Sequence, residues 1–261
     1  MKTPPPTPAK TPTPAPAPPW CTDFNGDGRS DIAVYQPATG LWAVRGVTLV
    51  YFGSSEDEPV PGDYNGDRRT EIAVFRGSSS LWAVRGVTRA YFGFLDSPQP
   101  ADYDGDGTCD IAIYRGSAGL WAVRGITRSY FGGPADSPVP GYYDGSSAAQ
   151  VGIFRPGSGL WAIRGISRTY FGRSEDRTVP GDYDGDGTWE CGIFRGSSGL
   201  WAIRGVTRCY FGSSAVAEVP GDYDGDGADE IGIFRPAIGL WSIRGLTRIY
   251  FGADGDIAVT R

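Results

Sequence analysis

Apolar and polar positions of this chain alternate over short runs. The segments "EIGIFR" at 230–235, "LWSIRG" at 240–245 and "TRIYFG" at 247–252 each alternate over about six residues rich in β-branched and aromatic side chains. This period of two predicts β-strands rather than helices. Gly, Pro or Ser separates the runs, and with the short segment "EVPGDY" at 218–223 they predict four strands in one unit.

The same unit occurs six times along the chain. Each copy contains "LWAVRG", "LWAIRG" or "LWSIRG", followed by "YFG". Self-similarity near 40 residues with four short strands per copy is typical of the blades of a β-propeller. The predicted fold class is therefore all-β, a propeller of six four-stranded repeats of about 40 residues, whose repeated tryptophans are Trp42, Trp82, Trp121, Trp161, Trp201 and Trp241.

The chain divides into an N-terminal arm and the propeller. Residues 1–19 are nearly all Pro, Thr and Ala, which favour an extended polyproline II conformation and predict a linker or stalk. Its threonines Thr3, Thr7, Thr11 and Thr13 stand beside prolines as in O-glycosylated stalks, although a bare linker fits the composition equally well. The propeller is assigned to 20–261, with units at about 20–53, 54–93, 94–132, 133–172, 173–212 and 213–252 and a C-terminal strand at 253–261.

Two segments compete for the first-strand position of the first unit. By spacing, Trp20 falls where Val60 and Val179 fall in later units, and Val259 in the tail falls there again. The tail also repeats the "DIAV" of 31–34, which allows a second-strand register instead. We therefore expect a tail strand that closes the ring within one chain or, like the arm, docks on the next molecule to build a head-to-tail fibre.

The third strand of each unit predicts how neighbouring units pack. In "LWAVRG", Trp and Val lie on one face and small Ala lies on the other, so adjacent sheets can interlock. We expect the Trp series to form a core between blades rather than a row of sugar-stacking platforms. The arginines of this motif offer an anion-binding ring, but stacking on aromatic rings and pairing with carboxylates is the commoner arrangement; they are Arg45, Arg85, Arg124, Arg164, Arg204 and Arg244.

The amino-acid composition further limits the kinds of catalytic, metal-binding and nucleic-acid-binding sites that the chain can form. The chain has no His, which removes the commonest general base and the commonest transition-metal ligand. Its four cysteines show no CxxC spacing, so zinc is not indicated and the disulfide state stays open. The net charge of −6 comes from short acidic clusters, which does not indicate nucleic-acid binding. No apolar run reaches the ~18 residues of a membrane helix.

A nine-residue acidic loop lies between the first and second strands of each unit. Oxygen donors at its positions 1, 3, 5 and 9 around a glycine turn form a cage for a hard cation, and the flexible loop geometry favours Ca²⁺ over Mg²⁺. Without a cation the carboxylates repel one another. The copies are "DFNGDGRSD" at 23–31 (loop 1), "DYNGDRRTE" at 63–71 (loop 2), "DYDGDGTCD" at 102–110 (loop 3), "YYDGSSAAQ" at 142–150 (loop 4), "DYDGDGTWE" at 182–190 (loop 5) and "DYDGDGADE" at 222–230 (loop 6).

Two other interpretations of the loop fit less well. An EF-hand needs a Glu at position 12 and a helix on each side, whereas the acid here stands at position 9 between strands. A glycosidase needs one dissimilar carboxylate pair in one cleft, whereas these acids recur in every unit except the fourth. A repeated cation site is therefore favoured over catalysis.

The "DxDGDGxxD" loop, the "IAVY" or "IGIF" after it and the downstream "YFG" resemble the FG-GAP or VCBS repeats of integrin α-subunit propellers and of many bacterial secreted proteins. The resemblance covers about 20–261. It implies a β-propeller with calcium in the loops between the first two strands of its blades, in extracellular adhesion, lectin-like or scaffold roles. Integrin-type propellers have seven blades, whereas six units are visible here.

The resemblance also implies the ligands, residue by residue. Arg68 replaces a loop glycine in loop 2, which marks that site as weak, and loop 4 has lost most of its acids, so we expect no ion there. Four strong calcium sites and one weak site are expected. The implied ligands are Asp23, Asn25, Asp27 and Asp31; Asp63, Asn65, Asp67 and Glu71; Asp102, Asp104, Asp106 and Asp110; Asp182, Asp184, Asp186 and Glu190; and Asp222, Asp224, Asp226 and Glu230.

These features predict a non-catalytic, extracellular, calcium-binding propeller that acts as a structural or adhesive surface component. Its expected partners are further copies of itself, joined through the chain termini, and glycans. The alternative is a carbohydrate-binding lectin with sites between blades. The N-terminus lacks the apolar core of a signal peptide, so an extracellular location implies that the signal has already been removed.

Overall fold

The computed structural model describes residues 22–260 of the chain. The arm at 1–19, the four candidate glycosylation sites and the first-strand candidate Trp20 lie outside the described residues. The described residues form six four-stranded antiparallel sheets, the blades of a β-propeller, which confirms the predicted fold class. Between residues 22 and 260, no helix has the length and apolar character needed to cross a membrane.

Every blade combines one two-residue strand with three four-residue strands. Blade 1 contains Ala33–Gln36 (β1), Leu41–Val44 (β2), Thr48–Tyr51 (β3) and, from the tail, Ile257–Ala258 (β24). Blade 2 contains Glu58–Pro59 (β4), Ala73–Arg76 (β5), Leu81–Val84 (β6) and Thr88–Tyr91 (β7). Blade 3 contains Ser97–Pro98 (β8), Ala112–Arg115 (β9), Leu120–Val123 (β10) and Thr127–Tyr130 (β11).

The other three blades repeat the same pattern. Blade 4 contains Ser137–Pro138 (β12), Gly152–Arg155 (β13), Leu160–Ile163 (β14) and Ser167–Tyr170 (β15). Blade 5 contains Arg177–Thr178 (β16), Gly192–Arg195 (β17), Leu200–Ile203 (β18) and Thr207–Tyr210 (β19). Blade 6 contains Ala217–Glu218 (β20), Gly232–Arg235 (β21), Leu240–Ile243 (β22) and Thr247–Tyr250 (β23). Short 3-10 turns at Gly77–Ser79, Gly116–Ala118 and Pro236–Ile238 join second to third strands.

The ring closes within one chain through the tail. Strand β24 pairs antiparallel with β1, with Val34 opposite Ala258 and Tyr35 opposite Ile257. The Val259 amide donates to the Ala33 carbonyl at 2.9 Å, as the Val60 amide donates to the Ala73 carbonyl in blade 2. Val259 therefore occupies the first-strand position, and the alternative second-strand register of the tail is wrong.

Each first strand has two residues. Three of them end in proline, at Pro59, Pro98 and Pro138, which has no amide hydrogen to donate to a longer ladder. Each of these strands occupies an edge of its sheet, where proline is tolerated. An isolated bridge then resumes the pairing in blades 2 to 6, such as Gly62 with Glu71. The acidic loop is thereby held as the connection of a hairpin.

The six repeated tryptophans form the core, as predicted. Each side chain is at most 1% exposed. In every blade the indole Nε1–H donates to the carbonyl of the Phe in "YFG", for example from Trp161 to Phe171 at 2.9 Å. An aromatic ring of the second strand packs beside it, with the Phe154 centroid 5.2 Å from that of Trp161. Sugar-stacking platforms are excluded for these residues because their rings are covered.

Neighbouring blades interlock through the two faces of the third strand. Trp42 of blade 1 belongs to one apolar cluster with Ala83 of blade 2, and Leu81 packs against that cluster. Trp82 and Trp121 meet Ala122 and Ala162 of the following blades in the same way. A small side chain on one sheet therefore makes room for the indole of the sheet before it, as the sequence predicts.

Four blades carry an ion pair that the repeat analysis did not single out. In blade 2, Arg76 donates to the two carboxylate oxygens of Asp57 at 2.7 and 2.9 Å, and the Asp57 side chain is 1% exposed. In blade 6 the Asp is replaced by Val216, which lies in an apolar cluster. The other pairs are Arg115 with Asp96, Arg155 with Asp136 and Arg195 with Asp176.

The arginines of "LWAVRG" do not adopt the expected paired arrangement. All six are exposed, and between residues 22 and 260 none of them forms an ion pair. They stand in the turn between third and fourth strands, where their backbone amides rather than their side chains are engaged, as Arg45 is with the Ile32 carbonyl. The buried carboxylates pair instead with arginines at the end of the second strand, as Asp57 does with Arg76.

We expect Trp161→Phe to lower the free energy of unfolding by about 1–3 kcal/mol, because the half-buried Phe171 carbonyl loses its donor. Trp161→Ala should cost about 3–5 kcal/mol through the additional cavity. Urea unfolding followed by circular dichroism measures both. Tyr170→Phe is the matched control, since the Tyr170 side chain is 74% exposed and should change stability by less than about 0.5 kcal/mol. Equal stability of Trp161→Phe and wild type would contradict the anchoring role.

Candidate cation-binding loops

The backbone of each acidic loop is folded around the carboxylate at position 1. In loop 3, Asp102 accepts hydrogen bonds from the amides of Gly105 at 2.6 Å and Gly107 at 2.9 Å. The position 1 acids of loops 1, 2, 5 and 6 accept the equivalent pair of bonds. This carboxylate fixes the turn, and in loops 3, 5 and 6 the side chains at positions 3 and 9 converge on it. The predicted position 5 ligands of these loops are not in the clusters and accept from the position 7 amide; they are Asp106, Asp186 and Asp226.

The acid at position 9 closes the loop from the second strand. In loop 3, Asp110 accepts from the Tyr103 amide at 2.8 Å, and Glu190 and Glu230 accept from Tyr183 and Tyr223 in the same way. One carboxylate oxygen is thereby tied to the backbone, and the other is left to face the loop interior. The loop needs left-handed backbone at position 6, where Gly107 has φ of 89°.

Loop 2 accommodates Arg68 at that glycine position. Arg68 has φ of 66°, a conformation that costs a residue with a Cβ roughly 1–2 kcal/mol. At the equivalent Gly28 and Gly107 nothing lies within 4 Å of an added Cβ, so the side chain has room. The Arg68 amide still donates to Asp63 at 2.8 Å, and the loop keeps its shape.

Four loops bring three carboxylates close enough to share one cation. In each, one oxygen from every member lies within 4.8 Å of the others. Since Ca²⁺ binds oxygen at about 2.3–2.6 Å, two ligands of one ion lie no farther apart than about 5 Å. The groups therefore fit one hard cation each; they are Asp63, Asp67 and Glu71; Asp102, Asp104 and Asp110; Asp182, Asp184 and Glu190; and Asp222, Asp224 and Glu230.

The two loops with Asn at position 3 differ from the expected ranking. Loop 2, expected to be weak, gathers three acids, whereas loop 1, expected to be strong, is not among the four groups. In loop 2 the Asn65 Nδ2 donates to Glu71 at 2.6 Å, and in loop 1 the Asn25 Nδ2 donates to Asp31 at 3.2 Å. Asp31 is one methylene shorter than Glu71, so its carboxylate reaches less far toward positions 1 and 5.

In loop 4 the side-chain amide of Gln150 lies at the centre of the loop. The Gln150 side-chain nitrogen donates to Asp144 Oδ1 at 2.8 Å, to Ser146 Oγ at 2.9 Å and to the Ala148 carbonyl at 2.5 Å. The Gln150 Oε1 accepts from the Tyr143 amide at 2.6 Å, as the position 9 acids do elsewhere. An N–H group thus stands where the other loops converge carboxylates, and the turn is satisfied without a cation.

Burial and mutual repulsion raise the pKa of the position 9 acids. Desolvation is the largest cause, and the carboxylates at positions 1, 3 and 5 add to it. The pKa is raised to about 6 for Asp31 and Asp110. It is raised to about 7 for Glu71, Glu190 and Glu230. Near neutral pH these acids therefore hold a proton part of the time unless a positive ion replaces it.

A closed belt of backbone hydrogen bonds joins the six loops. The amide at position 8 of each loop donates to the carbonyl at position 1 of the preceding loop, and loop 1 donates to loop 6. Sequence reasoning did not identify this belt because backbone groups leave no residue signature beyond the shared period. The bonds, of 2.6 to 2.9 Å, are Ser30 to Asp222, Thr70 to Asp23, Cys109 to Asp63, Ala149 to Asp102, Trp189 to Tyr142 and Asp229 to Asp182.

The described cysteines take no part in these sites as ligands or as disulfides. Cys109, Cys191 and Cys209 are free thiols, and Cys109 is buried beside loop 2, where its burial raises the thiol pKa well above its ordinary value. Cys21 lies outside the described residues. The loops are therefore all-oxygen sites, as a hard cation requires.

Comparison with known proteins gave no match to a family model, to a curated protein or to a solved structure. The resemblance to FG-GAP or VCBS repeats therefore stands on the loop and strand motifs alone. What the structure itself establishes is a six-bladed β-propeller with acidic clusters in four of its blades.

We expect the cation-free protein to become more stable as the pH falls from 8 to 5.5. The folded-state pKa of Glu190 and Glu230 lies near 7, above the ordinary 4.5, so the folded state binds more protons than the unfolded state in this range. Stability from these groups is present below the unfolded pKa and is lost as pH rises through 7. Thermal melts of chelator-dialysed protein test this, and a melting temperature at pH 8 equal to or above that at pH 5.5 would contradict it.

Proposed function

We propose that the protein is a non-catalytic, extracellular β-propeller whose acidic loops bind calcium, and that it acts as a structural or adhesive surface component. The observation that carries this proposal is the recurrence of one carboxylate cage in four blades, in phase with the ring. A scaffold benefits from repeated, equivalent ions, whereas a catalyst needs one dissimilar set of groups in one cleft.

Calcium at these loops would act on the ring as a whole. Each loop lies within the belt of backbone bonds, so an ion that fixes position 1 of one loop also fixes the acceptor for position 8 of the next. Such an ion would neutralise the raised-pKa acids and remove their repulsion, which otherwise opposes folding. The extracellular setting supplies calcium at the ~0.1–1 mM that weak sites of this kind require.

We expect saturating calcium to raise the melting temperature, because a ligand that binds only the folded state stabilises it, by about 2.7 kcal/mol at one hundred times Kd. Calorimetric titration should detect four sites per chain, from loops 2, 3, 5 and 6, with weaker binding at loop 1. Glu190→Gln reproduces the amide of Gln150 and should remove one site.

The control for Glu190→Gln is Asp254→Asn, which removes an exposed acid outside the nine-residue loops and should leave the number of calcium sites unchanged. An identical melting temperature in calcium and in chelator for the wild-type protein would exclude the metal assignment. Retention of all sites in Glu190→Gln would exclude loop 5 as a ligand set.

The closure by β24 favours a single-chain ring over a fibre built by strand exchange. The tail already occupies the first-strand position of blade 1, so exchange would first have to break its pairing with β1 and expose Val259, which is 2% exposed. We therefore expect purified full-length protein to be monomeric in light scattering and to form isolated rings in electron micrographs. Filaments that persist on dilution would establish head-to-tail assembly through the arm or an exchanged tail.

Carbohydrate binding between blades is the second candidate function, and one cavity favours it. A space of about 530 Å³ lies between blades 3 and 4, bordered by Phe94, Leu95, Arg115 and Asp136. The turn before blade 3 is one residue shorter than its equivalents, which places Leu95 at φ of 53° and leaves Phe94 and Leu95 60% and 70% exposed. A neutral-glycan array separates the two functions, because a scaffold shows no saturable binding there.

A further inference from the structure

The fourth strand of every blade presents one tyrosine to solvent. These tyrosines stand at equivalent positions of the six outer edges and are 70–74% exposed. The same ring at the same place in every blade gives the outer edge a repeated aromatic surface, and tyrosine is enriched where proteins bind partners. The residues are Tyr51, Tyr91, Tyr130, Tyr170, Tyr210 and Tyr250.

Arginines accompany the tyrosines on the same face. In blade 5, Arg208 stands two residues before Tyr210, opposite Ala202, while Tyr210 stands opposite Leu200. Side chains two residues apart on a strand share a face, so Arg208 and Tyr210 lie side by side. Blade 1 has Leu49 instead, and the other equivalents, all exposed, are Arg89, Arg128, Arg168 and Arg248.

The outer hairpins are strongly basic within a chain that is acidic overall. The six turn arginines from Arg45 to Arg244 precede the strand arginines, and no Asp or Glu occurs in any of these hairpins. The hairpins span 41–51, 81–91, 120–130, 160–170, 200–210 and 240–250. The turn arginines lie beside the acidic loops, because each of their backbone amides donates to the residue after position 9, as Arg45 does to the Ile32 carbonyl. The positive charge of the outer edge therefore comes from the strand arginines.

A cavity between blades 4 and 5 joins these features. It measures about 170 Å³, with Leu200, Ala202 and Phe171 as its apolar surface and three arginines beside them. Arg195 is paired with Asp176 and with the half-exposed Glu175. Between residues 22 and 260, neither Arg173 nor Arg208 forms an ion pair. Two unpaired guanidinium groups thus border an apolar groove, with the exposed Tyr210 next to Leu200.

We propose that the exposed arginine–tyrosine pairs of the outer strands, together with the groove between blades 4 and 5, bind an anionic polysaccharide. Guanidinium groups such as those of Arg173 and Arg208 bind carboxylate or sulfate through paired charge-assisted hydrogen bonds. The exposed tyrosine ring packs against the apolar face of a sugar ring, whereas Leu200 and Ala202, at 5% and 4% exposed, only form the floor of the groove. The arginine–tyrosine pair recurs in blades 2 to 6, so one polymer can contact several blades and weak sites add up to tight binding. This inference names a partner for the adhesive role proposed above and rests on that role, but it uses none of the calcium ligands.

The charge distribution favours a polysaccharide over a nucleic acid. Double-stranded DNA carries one negative charge per about 1.7 Å of its axis, and a chain of net charge −6 with an acidic inner belt repels so dense a polyanion. A polysaccharide with about one charge per sugar matches the separate arginines, one on the outer strand of each of blades 2 to 6. Single-stranded nucleic acids are bound by aromatic platforms for successive bases, whereas each outer strand here offers one exposed tyrosine.

The test measures binding of dextran sulfate, polygalacturonate and uncharged dextran to the full chain in calcium, by surface plasmon resonance at several salt concentrations. We expect saturable, salt-sensitive binding of at least one anionic polymer, and the comparison of the two separates sulfate from carboxylate recognition. The triple variant Arg173→Gln, Arg208→Gln and Arg248→Gln should bind about tenfold more weakly, because several charge-assisted contacts are lost together.

The matched control is Arg45→Gln, Arg85→Gln and Arg124→Gln, which removes the same charge from exposed turn positions outside the nine-residue loops and the outer strands and should change affinity by less than about threefold. Equal weakening by both triple variants, equal binding of uncharged dextran, or no saturable binding of either anionic polymer would overturn the inference. Tighter binding of a charge-matched oligothymidylate would also overturn it. A preserved calcium-dependent melt with no polymer binding would reject this inference alone, whereas loss of that melt would reject the calcium scaffold.

Discussion

The structure depends on one repeated contact, the indole of the third strand inserted between two blades. Its ring is covered by the small and apolar side chains of the next sheet, and its N–H is satisfied by the carbonyl that ends the fourth strand of its own blade. One residue thus fixes the spacing between sheets and the path of the chain as it leaves a blade. Because the contact recurs six times, each blade packs on the next in nearly the same way, and the ring closes when blade 6 packs on blade 1.

The acidic loops reveal a second constraint, which acts around the ring rather than between layers. Carboxylates at position 1 order the backbone, and the ordered backbone in turn passes a hydrogen bond to the neighbouring loop. The same arrangement buries carboxylates close together, and desolvation, followed by their mutual repulsion, raises the pKa of the position 9 acids. A loop can relieve this burial and repulsion of negative charge by taking a proton, by binding a cation, or by replacing the acid with an amide as Gln150 does.

Departures from the repeat are compensated locally. Arg68 tolerates a left-handed backbone because the space at that position is open, and Val216 replaces a carboxylate by joining an apolar cluster. The shortened turn before blade 3 leaves Phe94 and Leu95 exposed, which makes one interface unlike the others. A symmetric scaffold can therefore acquire distinct surfaces without changing its core, and the outer arginines and tyrosines use the freedom that remains at the edge of each blade.

The sequence by itself determined the number of blades, their four strands, the buried tryptophans and the place of the acidic loops, because alternation and a fixed period are local properties of the chain. The tertiary structure decided the rest. Trp20 and Val259 fit the same slot by spacing, and only the pairing of β24 with β1 assigns it to Val259, since a strand edge accepts one partner. Loop 2, but not loop 1, gathers three carboxylates, because Glu71 reaches one methylene farther than Asp31. The turn arginines are exposed, and between residues 22 and 260 they form no ion pair. Spacing along the chain does not predict this, because ion pairing depends on which side chains meet in space.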